Sequence, residues 1–395
     1  MNNSLQLLIS NALTLVLITV FLLLTANELG PEKFGNYAAA QAIAVMLMPI
    51  FSLRLETRIA VCKDDEELDD LIVAIVISSL FFLSVAAIGL ILLWFWVDIT
   101  VAFIVIFLSF STILADFGLS RLAFLRRHFL LSIHRFLRQV FPLLMGFLAA
   151  FMSNQYEMAL LAVMTGTFLW ALILNWSSMT RSILSLKIFK RVWGQHGNEL
   201  KASITFGTLN NIWLNCLQPL MALMGWYQLA GQYALLQRLI NGPLSVLTIV
   251  TNTLLLAKGN ILHLDAKKVF KTFSILFLIG ALWVLCLWVL LFLQEYWILP
   301  PEWKIDLTFF HAAAFFGVSS FAVGALSIVS IRLKDEWFMA FWQLLFIFIW
   351  CVAVVMMDLQ QIFSLLLWIG GLAYIVLLWR WMLQISLKKN SNVIS

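Results

Sequence analysis

Arg238 is the residue of this sequence that most demands a chemical explanation. It lies about eight residues into an apolar run over 231–257, roughly 12 Å deep at 1.5 Å per helical residue. An arginine near the centre of a membrane helix costs about 2.5–3.5 kcal/mol on insertion scales, so it must face water, an anion or an acid. The apolar runs place no acidic residue at that depth, and the adjacent Gln237 and Asn241 are neutral amides. Two readings follow: a cation lining a cavity that receives an anionic ligand, or an arginine snorkelling to the outer interface.

Four more polar residues share a pattern. Thr208, Asn211, Asn215 and Gln218 recur at helical spacing and fall on one face. Such a stripe is costly against lipid, so it either fastens helices together or lines a hydrated path for a hydroxyl-rich substrate. Further along the chemistry, Arg54 and Arg58 are spaced i,i+4 at the inner end of another apolar run, ahead of the acidic run Asp64, Asp65, Glu66, Glu67, Asp69 and Asp70. They serve either as interfacial anchors or as cations that meet an anionic headgroup at a cytoplasmic gate. The stretch from Arg121 to Arg138, with His128 and His134 among Leu and Phe, reads as a basic amphipathic helix on the inner leaflet, with Asp116 paired to Arg121. There is no nucleophile elbow, HExxH, paired carboxylate, phosphate-binding loop or cofactor box, so neither an enzyme nor a cofactor is expected. Cys62, Cys216, Cys286 and Cys351 form no CxxC pair, which leaves no basis for a disulfide frame or metal site.

The elements that position these residues follow from composition. Of the 395 residues 63% are hydrophobic and 11% charged, with 33 Phe and 17 Trp. The mean hydropathy is +0.98. The few polar residues cannot cover so much apolar surface in water, so the solvent is lipid. Continuous rather than alternating apolar runs exclude a membrane β-barrel. Runs of bilayer length fall at about 5–25, 37–53, 71–95, 100–119, 137–152, 158–176, 204–224, 231–257, 269–291, 309–331, 337–357 and 362–383, which predicts twelve transmembrane helices in an all-α protein. The first reads as a retained span. The fifth spans only if Arg138 snorkels to the interface. Twenty-two of the 25 Lys and Arg residues fall in alternate loops on one side, while Lys33 and Lys304 lie on the other. The positive-inside rule makes the basic side, and both termini, cytoplasmic. The net charge of +5 is thus a matter of topology and calls for no nucleic-acid partner.

The chain also repeats itself. Gly35-Asn36-Tyr37-Ala38-Ala39-Ala40-Gln41 and Gly231-Gln232-Tyr233-Ala234-Leu235-Leu236-Gln237 agree at four of seven positions, 196 residues apart. Each follows a Leu29-Gly30 or Met224-Gly225 pair, and each run later contains a proline, Pro49 or Pro243. This predicts two parallel six-helix lobes, 1–176 and 204–395, joined by a basic cytoplasmic linker over 177–203, with Gln41 and Gln237 facing a shared cavity.

The segments Leu29-Gly30-Pro31-Glu32-Lys33-Phe34-Gly35-Asn36-Tyr37, Leu53-Arg54-Leu55-Glu56-Thr57-Arg58-Ile59-Ala60 and Gly231-Gln232-Tyr233-Ala234-Leu235-Leu236-Gln237-Arg238-Leu239-Ile240 resemble those of the polysaccharide-transporter flippases, the Wzx-type O-antigen and capsule repeat-unit exporters. That group belongs to the superfamily that also holds multidrug exporters and lipid II flippases. The resemblance implies an undecaprenyl-diphosphate-linked oligosaccharide, moved from the cytoplasmic to the periplasmic leaflet of a bacterial inner membrane by alternating access. It implies polysaccharide polymerase and assembly proteins as partners, besides membrane lipids. Arg238, Arg54 and Arg58 would meet the diphosphate; Gln41, Gln237, Asn211, Asn215, Gln218 and Asn241 would meet the glycan. The rival readings are a cation-coupled multidrug exporter of the same fold, for which a deep arginine has the wrong sign, and a polysaccharide polymerase or ligase, which would be expected to carry a sizeable catalytic outer loop.

Overall fold

The computed structural model describes residues 3–55, 65–92, 98–125, 128–179, 186–257, 266–293, 305–326, 335–356 and 361–394, together with Ile59, Trp303 and Val329. All regular structure among them is helical. Eight helical stretches are long and apolar enough to cross a bilayer, Val16–Ser52 holding two of the expected runs and Trp337–Ala353 adding a shorter apolar helix. The chain divides into two compact units, Met1–Gly231 and Gln232–Ser395.

In the first unit, α1 (Asn3–Ser52) is two helices joined at Gly30, whose φ of 70° and ψ of 168° break the helical path. Only glycine adopts that backbone without strain, and Pro31 starts the next segment where its missing N–H is not needed. α1 stops at Ser52. There Leu53 (φ 50°) and Arg54 (φ 56°) take left-handed conformations unusual for residues with a Cβ. The turn is closed by Leu55 N–H to Ser52 O (3.1 Å) and by Arg54 N–H to Ser52 Oγ (3.1 Å).

α2 (Asp65–Leu92), α3 (Ile99–Phe124), α4 (His128–Ser153) and α5 (Tyr156–Met179) follow. α4 and α5 form a hairpin whose turn uses Asn154 at φ 50°. Its two helices approach closely where Gly166 meets the Cα of Pro142. Lys33 donates to Asn154 O (2.9 Å) and Oδ1 (3.0 Å), so the α1 break and the α4–α5 turn lie at the same end of the unit, as the alternation of spans requires. Asn175 donates to Leu114 O (2.7 Å) and fastens α5 to α3.

α6 (Leu186–Asn215) is one 30-residue helix that runs from the basic 177–203 stretch into the seventh apolar run. That run is not continuous, because the helix breaks at Cys216 and resumes as α7 (Leu217–Leu223). Pro219 has no N–H for the carbonyl of Asn215, which is where the break falls. α7 ends on Gly225 (φ 76°), with Trp226 N–H on Met221 O (2.9 Å) and Gly225 N–H on Ala222 O (3.0 Å). These are the paired bonds of a left-handed glycine helix stop.

The second unit takes most of α8 (Tyr227–Ala257) with α9 (Ala266–Leu293), α10 (Leu307–Gly324), α11 (Glu336–Met356) and α12 (Gln361–Ile394). α10 is buried along most of its length. Gly317 lets it approach Ile240 and Asn241 of α8, and Gly370 lies against Phe316 and Trp350. Rings fill the remaining space: Phe316 with Trp350 and Tyr374, and Phe315 with Trp368 at 4.7 Å between centroids. At one end Arg380 grips Asp335 through two hydrogen bonds (2.9 and 3.2 Å) and lies over the Phe338 ring.

Candidate substrate path

Proline governs the polar contacts near the candidate site. Pro49 cannot donate to the carbonyl four residues back, which is Val45 O, and Pro243 likewise deprives Leu239 O. Both carbonyls are recaptured by side chains. Asn211 Nδ2 of α6 donates to Val45 O at 3.0 Å, and Trp283 Nε1 of α9 donates to Leu239 O at 3.0 Å. A freed carbonyl in a low-dielectric interior is costly to leave unmet, so each contact both satisfies the kink and fixes a second helix against it.

The amide stripe is therefore at least partly structural. Asn211 fastens α6 to α1, and Asn215 Nδ2 turns back to Asn211 O (2.9 Å) within its own helix. Gln218 lies beyond the break, on α7, and is buried. Thr208 Oγ1 is buried. One turn before Asn211, Gly207 faces the Arg54 guanidinium, so that Arg54 and Asn211 mark one α1–α6 seam. Arg58 lies outside the described residues. Gln41 is half-buried and donates to the Tyr37 hydroxyl (2.8 Å), one turn earlier on α1.

In the second unit Gln237, Arg238 and Asn241 are all half-buried on α8. The helix begins at Tyr227, so Arg238 stands eleven residues from its start. That is about 16 Å along the helix at 1.5 Å per residue, farther in than the apolar run implies. Asn241 Oδ1 is buried beside Gly317.

Arg238 is not the sole deep cation, and the spans do contain an embedded carboxylate. Asp116 of α3 pairs with Arg138 of α4 rather than with Arg121. Arg121 is five residues on and points to a different side of the helix, whereas Arg138 comes across from the neighbouring helix. Arg138 does not snorkel at an interface. It lies ten residues inside α4, because that helix starts at His128 rather than near residue 137. Nor do residues 121–138 form one surface helix: Arg121 belongs to α3, and His134, Arg135 and Arg138 belong to a spanning α4. The acidic run at the start of α2 is engaged too, through Arg191 of α6 on Asp70. Among the described residues no group of His, Cys, Asp and Glu is placed to hold a metal ion.

Among solved structures, the chain is similar to a MATE transporter crystallised with MaD3S, at 15% identity over 98% of this chain and 96% of that one, with a TM-score of 0.53. It is also similar to the eukaryotic MATE transporter AtDTX14 (15% identity, 97% and 96% covered, TM-score 0.49) and to a MOP-superfamily transporter from Pyrococcus furiosus (14%, 97% and 95%, 0.47). No family profile and no curated protein matches the chain. The chain is a multi-pass membrane protein with the fold of a MATE transporter.

Proposed function

We propose that this protein is an alternating-access exporter whose cargo is anionic: an undecaprenyl-diphosphate-linked oligosaccharide carried from the cytoplasmic to the periplasmic leaflet of a bacterial inner membrane. In this reading residues 1–176 and 204–395 act as the two six-helix lobes, joined through 177–203, with both termini cytoplasmic. The observation that carries it is the charge found at depth. Arg238 stands half-buried near the middle of α8, while the deep carboxylate Asp116 is already engaged by Arg138. A diphosphate entering a low-dielectric path needs a cation there, and a guanidinium grips phosphate oxygens through parallel hydrogen bonds. Arg54 supplies a second cation at the end of α1, with Arg58 four residues on. Gln41, Gln237 and Asn241 offer amides to a glycan, with Gln218 beyond the helix break, while Asn211 fastens α6 to α1 and Asn215 is turned back within α6.

A second reading is a cation-coupled multidrug exporter of the MATE kind, and the fold likeness backs it more directly than it backs a lipid-linked cargo. One pair of assays separates the two. Restoration of surface glycan in a cell lacking its own repeat-unit flippase supports the first, whereas sodium- or proton-driven efflux of a cationic dye from proteoliposomes, with no restoration of glycan, replaces it with the second.

A further inference from the structure

The Arg-rich half of the α4–α5 hairpin holds a second feature, away from every residue assigned above to cargo. Phe141 of α4 and Leu169, Trp170, Leu172 and Ile173 of α5 line a groove of about 620 Å³. Its walls are apolar and it opens on the side of Leu169 and Ile173, which are 44% and 62% exposed and so face the bilayer. An apolar groove at that depth meets hydrocarbon chains rather than water.

Polar side chains lie behind the Trp170 wall of the groove. His134, Arg138 and Phe141 share a face of α4, and the Trp170 ring packs on both His134 (5.3 Å between centroids) and Phe141 (6.4 Å). His134 Nδ1 and Trp170 Nε1 are both buried and make no hydrogen bond among the described residues. Buried polar atoms of that kind normally have partners. Their neighbour Arg135 has no salt bridge among the described residues, and the one carboxylate close by, Asp116, is taken by Arg138. Two guanidiniums against one carboxylate leave this level of the hairpin positive. His134 stands six residues inside α4, about 9 Å from its basic end, at the depth where a phospholipid's phosphate and ester groups meet its chains.

We propose that this groove binds one anionic glycerophospholipid from the leaflet on the basic side. An acyl chain lies along Phe141, Leu169 and Ile173, a phosphate or ester oxygen accepts from Trp170 Nε1 and His134, and the headgroup charge is met by Arg135. The lipid would complete the polar surface of the hairpin from outside and is independent of the cargo the protein exports.

The test uses full-length protein, stripped of lipid in detergent and titrated with phosphatidylglycerol or phosphatidylcholine under native mass spectrometry. One phosphatidylglycerol should be retained per chain at about fivefold lower concentration than phosphatidylcholine. Arg135→Gln should remove that preference. Ile173→Trp, which adds bulk at the exposed mouth without touching the packed interior, should weaken both lipids while leaving the thermal midpoint unchanged. Glycerol phosphate, a headgroup without chains, should not compete. Equal retention of the two lipids by the wild type, an unchanged preference in Arg135→Gln, undiminished retention of both lipids by Ile173→Trp, or displacement by glycerol phosphate alone would overturn the proposal.

Discussion

Gly35 and Gly231 cross backbone to backbone. A Cβ on Gly35 would overlap the carbonyl oxygen of Tyr227 and reach within 3.0 Å of Gly231 N; a Cβ on Gly231 would overlap Pro31 O and come 3.1 Å from Gly35 N. Tyr227 follows Pro31 by the same 196 residues that separate the two glycines, so each half of the crossing is the image of the other. The seven-residue match and this reciprocal contact thus fall on the same glycines. Gly35→Ala or Gly231→Ala should push the 31–35 and 227–231 segments of the first unit apart, with a loss of about 1–3 kcal/mol, the cost of overpacking a tight site. The thermal midpoint in detergent measures it, and Gly324→Ala, with nothing within 4 Å of the added methyl, is the neutral control.

Asn211→Ala should destabilise by about 1–3 kcal/mol, since it strands Val45 O in an apolar setting. The informative variant is the double one. With Pro49→Ala the backbone can donate to Val45 O itself, so Asn211→Ala in that background should cost much less. A double-mutant cycle with no coupling between Pro49 and Asn211 would contradict the carbonyl-capture account.

Asp116→Asn should be harmful because it leaves Arg138 charged and without its carboxylate in a half-buried setting, at about 1–3 kcal/mol. Arg138→Met together with Asp116→Leu should recover most of that loss. Chemical denaturation of the purified protein distinguishes the single from the double variant.

Much of the architecture is legible in the sequence, and the reason is physical. Apolar runs are local, so hydropathy alone located the helices on which Gln41, Arg238 and Asn241 stand. The repeat and its prolines were equally visible in the letters. What stayed hidden was tertiary. Nothing near Val45 announces that its carbonyl is met from 166 residues away, and the sequence offers Asp116 an arginine about one turn along its own helix while its partner, Arg138, comes from the next helix. Arg135 and Arg138 lower the hydropathy of the first turns of α4, so the apolar run begins some nine residues after the helix does and places Arg138 at its edge instead of inside it.

Arg238→Ala should abolish export while leaving protein yield intact, and Arg238→Lys should retain part of the activity, because an ammonium offers a point charge in place of a two-pronged grip. Glycan restoration in the flippase-deficient cell reads both. Wild-type export by Arg238→Ala would move the anion contact to Arg54 and Arg58.

Cysteines placed at Glu32 and Gly194, both exposed, should react oppositely toward an impermeant thiol reagent applied outside intact cells: labelling at position 32 and none at 194. Labelling of position 194 from outside would invert the proposed orientation.

The two proline kinks bear on whether one stretch could stand in for the other. Pro49 and Pro243 lie 194 residues apart, two short of the 196 that separate Gly35 from Gly231, and each leaves the same kind of carbonyl in want of a donor. The donors do not match: an asparagine from α6 answers one, a tryptophan from α9 the other. The kinks are out of step with the repeat and their donors differ, so each stretch is fitted to its own neighbour. A chimera that exchanged α1 for the corresponding stretch of α8 would carry a proline into surroundings that have the wrong hand extended to meet it.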